Sequence, residues 1–223
     1  MHLKRQIIPK SWPIKRKENR YIVRPNFNIQ GGMPILVILR DILKLAQNRK
    51  EVKKAIHLKQ VLLNNKKIRD EKNSALLFDT ITILPPKDEK NILKKYYRLG
   101  LSEKGKFNLL EIKESEANSK TSKIINKKIL KGKKIQLNLS DGKNFIYPNK
   151  CDVNDSVLIN FKEKSKIEKC LPLKEKSKAI IFAGKHAGEY GVIKKINKET
   201  KIAELELKNK KINVLIKQLM VLE

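Results

Sequence analysis

The chain has 223 residues, with 52 lysines and arginines against 23 aspartates and glutamates and a formal net charge of +29. Charge this one-sided repels itself in a free compact protein and points to a polyanion that neutralises it through phosphate contacts and counterion release, nucleic acid foremost. An AT-rich coding bias would raise Glu along with Lys, and binding to an anionic membrane needs an amphipathic basic helix or a lipidation signal, so neither accounts for the imbalance.

The longest apolar run, residues 35–39, is too short for a bilayer, and residues 1–10 hold only Ile7 and Ile8 between charges, which predicts a cytoplasmic protein. Cys151 and Cys170 lack CxxC spacing and companions, so both read as reduced thiols with no metal. Aromatic residues make up 5% of the chain, which favours phosphate and sugar contacts over a wide base-stacking platform.

Residues 1–32 carry scattered prolines and no sustained period, from His2-Leu3-Lys4-Arg5 through Trp12-Pro13 to Gly31-Gly32. They read as an extended basic arm that orders only on an acidic partner. From Met33-Pro34 the apolar positions Ile35, Leu36, Ile38, Leu39, Ile42, Leu43, Leu45 and Ala46 have helical spacing, with Arg40, Asp41 and Lys44 opposite. A second helix is predicted over 49–58, with Val52, Ala55 and Ile56 inward and Lys53 and Lys54 outward, completing a basic helical hairpin. Val61-Leu62-Leu63 and Ile68-Arg69 then flank the turn Asn64-Asn65-Lys66-Lys67, where Asn tolerates positive φ, and 80–83 alternates as a strand. Pro85-Pro86 marks a boundary.

Beyond it the spacing predicts mostly β structure: strands over 96–101, 106–112, 135–139, around Val157-Ile159-Phe161, and over 179–182, 191–196, 202–207 and 212–219. Asp141-Gly142 reads as a turn. The histidines, His2, His57 and His186, lie far apart and form no catalytic or metal-binding set, so neither an active site nor a cofactor is expected.

Gly184-Lys185-His186-Ala187-Gly188-Glu189-Tyr190-Gly191, between two predicted strands, resembles the KOW motif of small barrels in ribosomal proteins and elongation factors. A phosphate-binding loop needs Ser or Thr where His186 stands, and a dinucleotide fingerprint fails at the same residue. The helical hairpin with its Asn64-Asn65 turn resembles the S-four-like RNA-binding domain, with Asn65 where that domain usually has Gly. Pro9-Lys10-Ser11-Trp12, Leu39-Arg40-Asp41, Lys50-Glu51-Val52, Gln136-Leu137-Asn138-Leu139 before Asp141-Gly142-Lys143-Asn144, and the glycine loop occur in the order of the S-four-E family of the archaeal and eukaryotic small ribosomal subunit, which the chain resembles over nearly its whole length. It departs from the family at Asn26-Phe27-Asn28-Ile29 and at Ser140, which stands where a His is usual.

The resemblance implies an α+β, multidomain chain: an arm over 1–32, an S-four-like domain over 33–88, a central β-rich domain over 89–172 and a KOW SH3-like barrel over 173–223. Its implied partners are small-subunit rRNA and neighbouring small-subunit proteins, with no membrane and no small-molecule substrate. Candidate RNA-binding residues are His2, Lys4, Arg5, Trp12, Arg40, Lys44, Lys53, Lys54, Lys66, Lys143, Lys185 and His186; candidate turn residues are Asn65, Gly142, Gly184, Gly188 and Gly191. An RNA-modifying enzyme carrying an S-four-like domain would need a large catalytic domain, which the short β segments leave no room for. A KOW-containing elongation factor would leave the first 88 residues unexplained.

Overall fold

In the computed structural model, which describes residues 3–85, 93–162, 165–197, 199–207 and 210–222, the N-terminal segment is folded. Leu3–Lys4 pairs antiparallel with Tyr21–Ile22, and Ile8, Trp12 and Ile22 are buried. The Trp12 indole N–H donates to the Gly32 carbonyl at 3.0 Å. The expected extended arm is therefore corrected. Its apolar anchors are too widely spaced to show a period, yet three of them, Ile8, Trp12 and Ile22, suffice to dock it.

The long helix expected from residue 33 is also shorter than its spacing indicated. Gly32–Pro34 is a strand paired with Ser74–Leu76, and only Ile35–Val37 and a wide π-type turn over Ile38–Ile42 are helical. The Leu43 N–H reaches back five residues to the Ile38 carbonyl, and Lys44 follows at φ 53°, which ends the helix. Helix Arg49–His57 matches its reading. Asn48 caps it by accepting the Glu51 N–H at 3.1 Å, and the Glu51 carboxylate returns to the Gln47 N–H at 2.7 Å, so two end donors are satisfied reciprocally.

A five-stranded sheet follows in the spatial order Lys66–Lys67, Val61–Leu63, Thr80–Ile83, Lys95–Leu101, Phe107–Glu111. A proline at the end of a strand stops its ladder but not the sheet, which the chain re-enters at Lys95. The boundary read at Pro85-Pro86 thus falls inside this sheet, although Pro86 itself lies outside the described residues. The structure divides the chain elsewhere: one unit reaches to Gly100 and takes in Lys106–Asn118, the other comprises Leu101–Gly105 and the chain from Ser119 onward.

The second unit holds two five-stranded sheets. One runs Asn144–Ile146, Ile135–Leu139, Ser119–Ile129, Ser156–Asn160, Lys166–Leu171; the other runs Lys211–Leu215, Ile202–Glu206, Tyr190–Asn197, Lys178–Ile181, Leu219–Val221. The first packs Ile124, Leu137, Val157 and Ile159 inward, the second Ile181, Ile193, Leu205 and Leu219. The single strand expected over 212–219 is two, because the 3₁₀ turn Ile216–Gln218 carries the chain from one edge of the second sheet to the other. The fold is α+β and mostly β. Among the described residues no helix is long and apolar enough to cross a membrane, and no group of His, Cys, Asp and Glu is placed to hold a metal ion.

Candidate nucleic-acid interface

Helix Arg49–His57 turns Val52 and Ile56 into the core, which leaves Lys53 and His57, four residues apart, on one outward face. The chain returns beside that face through Asn64 and Asn65, at φ 51° and 59°. Asn64 does more than turn: buried, it donates to Asp79 Oδ1 at 2.8 Å and accepts the Thr80 N–H at 3.0 Å, pinning the hairpin to the sheet. Asn65, on the outside, donates to Asn118 Oδ1 at 2.7 Å.

Between helix and hairpin lies a groove of about 790 Å³ lined by Lys53, Ile56, His57, Lys59, Lys67, Ile68, Arg69, Asp70 and Glu71. Lys53, His57, Lys59, Lys67 and Arg69 are exposed, as are Lys54 and Lys66 alongside, and none of these makes an ion pair among the described residues. The buried Glu71 is taken by Arg49, whose Nε donates to Oε1 at 2.8 Å. Among the described residues the groove therefore presents four cations without an ion pair, Lys53, Lys59, Lys67 and Arg69, beside the half-buried Asp70 and the buried Glu71 that Arg49 already holds. Such a surface can accept successive phosphates without reading bases.

Of the candidate residues, Lys53 lines this groove, with Lys54 and Lys66 beside it. His57, Lys59, Lys67 and Arg69 escaped the sequence reading, although the helical spacing of Lys53 and His57 and the run from Lys66 to Arg69 carried the signal. Lys44 stands exposed beyond the π-type turn. Arg40 is paired with its neighbour: Nε and Nη2 donate to the two carboxylate oxygens of Asp41 at 2.8 and 2.9 Å, a hydrogen bond that raises the guanidinium pKa. Lys4 is exposed; His2 lies outside the described residues. Arg5 and Trp12 are corrected from free contacts of an arm to folded positions, for Trp12 is 2% exposed and the Arg5 Nε donates to the Lys15 carbonyl at 2.6 Å.

In the second unit, Gly142 at φ 80° makes the expected turn, and Lys143 is held over the Phe161 ring at 5.0 Å with its Nζ 3.8 Å from Asp141. Lys185 is exposed beside Gly184, at φ 93°, and His186 Nδ1 lies 3.2 Å from Glu189 Oε2. Gly188, at φ 94°, packs so closely on the Ser102 backbone that a Cβ would sit 1.9 Å from its carbonyl oxygen. Gly191 is no turn residue. It pairs with Ala179 inside strand Tyr190–Asn197, where a Cβ would come within 2.8 Å of the Glu206 carbonyl. Burial raises the Cys151 thiol, and burial with the neighbouring Cys151 pushes Cys170 up to about 12, so both stay protonated.

The sequence matches the ribosomal family S4e over residues 93–166 and the RS4NT (NUC023) domain over residues 1–27. The small ribosomal subunit protein eS4 of Methanocella arvoryzae is 38% identical over 198 residues, 87% of this chain and 80% of that protein. Its namesake in Nanoarchaeum equitans is 38% identical over 201 residues, 88% of this chain and 82% of that protein. The chain belongs to the S4e family. The fold agrees with that assignment, since the 30S ribosomal protein S4e of Thermoplasma acidophilum superposes with a TM-score of 0.71 over 86% of this chain and 95% of that one, at 24% identity. The RS4NT match spans the folded segment that buries Arg5 and Trp12.

Proposed function

We propose that this S4e protein is a structural constituent of the small ribosomal subunit, with no catalytic role, and that it holds small-subunit rRNA through the groove between helix Arg49–His57 and the Asn64-Asn65 hairpin. The observation that carries the groove's role is its set of exposed cations with no ion pair among the described residues, Lys53, Lys59, Lys67 and Arg69, with the exposed His57 beside them. A net charge of +29 is tolerable in a compact chain that spends its life against phosphate. On this reading the helix and hairpin are the S-four-like module, the sheet from Lys178–Ile181 to Leu219–Val221 is the KOW-type barrel, and Lys185 at its glycine loop is a further contact. Neighbouring small-subunit proteins complete the surroundings, in the cytoplasm.

The test is binding of the full chain to small-subunit rRNA across a salt series. Release of counterions from many phosphate contacts gives a log–log slope of about −4 or steeper, and the triple variant Lys53→Gln, Lys67→Gln, Arg69→Gln flattens it by about 2 to 3. A slope near zero in the wild type means that the charge does not face RNA.

A further inference from the structure

A second concave site in the first unit lies where the folded N-terminal segment meets the helices. Its cleft of about 420 Å³ is lined by Arg5, Arg24, Arg40, Arg49 and Lys72, with Tyr21 among the neutral residues, and among the described residues no carboxylate is in the lining. The arginines come from four separated stretches of chain, so their convergence is invisible in the sequence.

Three of the four are held in the same way. Arg5 gives Nε to the Lys15 carbonyl and Nη2 to Glu18, Arg40 gives Nε and Nη2 to Asp41, and Arg49 gives Nε and Nη2 to Glu71. In each, the side edge of the guanidinium is consumed, and among the described residues the end-on Nη1–Nη2 edge makes no further hydrogen bond. A guanidinium fixed along one edge loses little further side-chain freedom when the other edge binds, and two parallel N–H donors match two phosphate oxygens.

We infer that this cleft seats a backbone phosphodiester of RNA, gripped end-on by Arg40 and Arg49. The inference rests on the RNA-binding reading above and adds a specific seat to it. The two sites are continuous: Glu71 both lines the groove and holds Arg49, and Arg49, Lys53 and His57 recur every four residues along one helix face. That face spans about 12 Å from Arg49 to His57, so a single strand can lie along it from groove to cleft. Tyr21, 44% exposed with the Arg20 guanidinium 5.3 Å from its ring centroid, gives the adjoining nucleotide an aromatic surface.

The experiment compares full-length wild type with the double variant Arg40→Lys, Arg49→Lys, which keeps both charges and removes both forks. Affinity for small-subunit rRNA should fall about tenfold while the salt slope changes by less than about 1, because geometry and not charge is lost. Inorganic phosphate at constant ionic strength should compete with RNA for the wild type and not for the variant. If the double variant melts far below the wild type, Arg40→Lys alone, which leaves the buried Glu71 with its Arg49 partner, is measured in its place, with an expected fall of about threefold. Wild-type affinity in the fork variant, beside weakened binding by the Lys53, Lys67, Arg69 variant, overturns the cleft and leaves the groove standing. Wild-type affinity in both overturns the RNA reading itself, and phosphate binding that never weakens RNA binding makes the cleft a free-anion site and overturns the inference.

Discussion

Lys120 and Asp141 form an ion pair shut away from solvent: Nζ lies 3.0 Å from Oδ2, and the two side chains are 1% and 3% exposed. Burial alone would push the Asp141 carboxyl up, but the charges of Lys120 and Lys143 and the Lys143 backbone N–H hold it below its ordinary value. Removing Asp141 takes the paired carboxylate away from a buried ammonium. Asp141→Asn should destabilise the full chain by about 3–5 kcal/mol, and Lys120→Met with Asp141→Leu by less than that, because the double variant removes both members of the buried pair. A carboxyl depressed in the folded state contributes stability that is present above its unfolded pKa and is lost as pH falls through the folded value. Denaturant melts should therefore show the gap between wild type and Asp141→Asn narrowing only at pH below the ordinary aspartate value of 3.8. An Asp141→Asn protein as stable as the wild type at neutral pH refutes this role.

Lys123 is the opposite case. Its Nζ donates to the Ile216 and Leu219 carbonyls at 2.5 and 2.8 Å, and burial lowers its pKa from 10.5 to about 8. The unfolded chain then binds more protons than the folded one between these values, so this group's contribution to stability rises with pH across that window, by at most about 1.4 kcal/mol per unit. Lys123→Met removes the titration. Melting temperature measured from pH 7.5 to 10 should climb more steeply in the wild type than in Lys123→Met; parallel curves would show that the amine does not titrate as its burial requires.

Much of this was legible in the sequence wherever one face of an element is apolar. Helix Arg49–His57 announces itself through Asn48, Glu51, Val52 and Ile56, and Thr80–Ile83 through its alternation. Strand Ser119–Ile129 does not, because Lys120 and Lys123 look like solvated charges and are in fact buried. Their partners, Asp141 and the Ile216 and Leu219 carbonyls, are remote in the chain, and a buried lysine is recognisable only through its partner. The groove was half legible: Lys53 shows on the helix, but Lys59, Lys67 and Arg69 join it only because Lys59, Asn64 and Asn65 take positive φ and fold the chain back.

The glycine loop supplies a contrast between two residues with similar backbone and different surroundings. Gly188 has φ 94° and the Ser102 carbonyl in the place of a Cβ, whereas Gly132 has φ 76° and nothing within 4 Å. Gly132→Ala should cost only the left-handed backbone penalty, about 1 kcal/mol, while Gly188→Ala must also displace backbone and should cost clearly more. Melting of the two full-length variants decides it. The comparison needs the full chain, since residues 101–105 supply the obstacle, and equal losses would mean that Ser102 gives way freely.

The N-terminal segment makes the last prediction, because its order should precede RNA. Trp12 fills the space beside Gly32, its neighbour Ser11 accepts the Phe107 N–H at 2.7 Å, and Arg5 is 5% exposed. Trypsin acting on the free protein should therefore spare Arg5 and cut first among Lys15, Arg16 and Lys17, which are exposed. Trp12→Ala empties a buried indole and should cost about 3–5 kcal/mol, releasing the segment so that Arg5 is cleaved as fast as its exposed neighbours. Trp12→Phe keeps most of the packing and forfeits the Nε1 donor, leaving the Gly32 carbonyl unsatisfied, at a cost of about 1–3 kcal/mol. The graded series separates packing from hydrogen bonding, and cleavage at Arg5 in the free wild type as fast as at Lys15 would return the segment to a tail that waits for its partner.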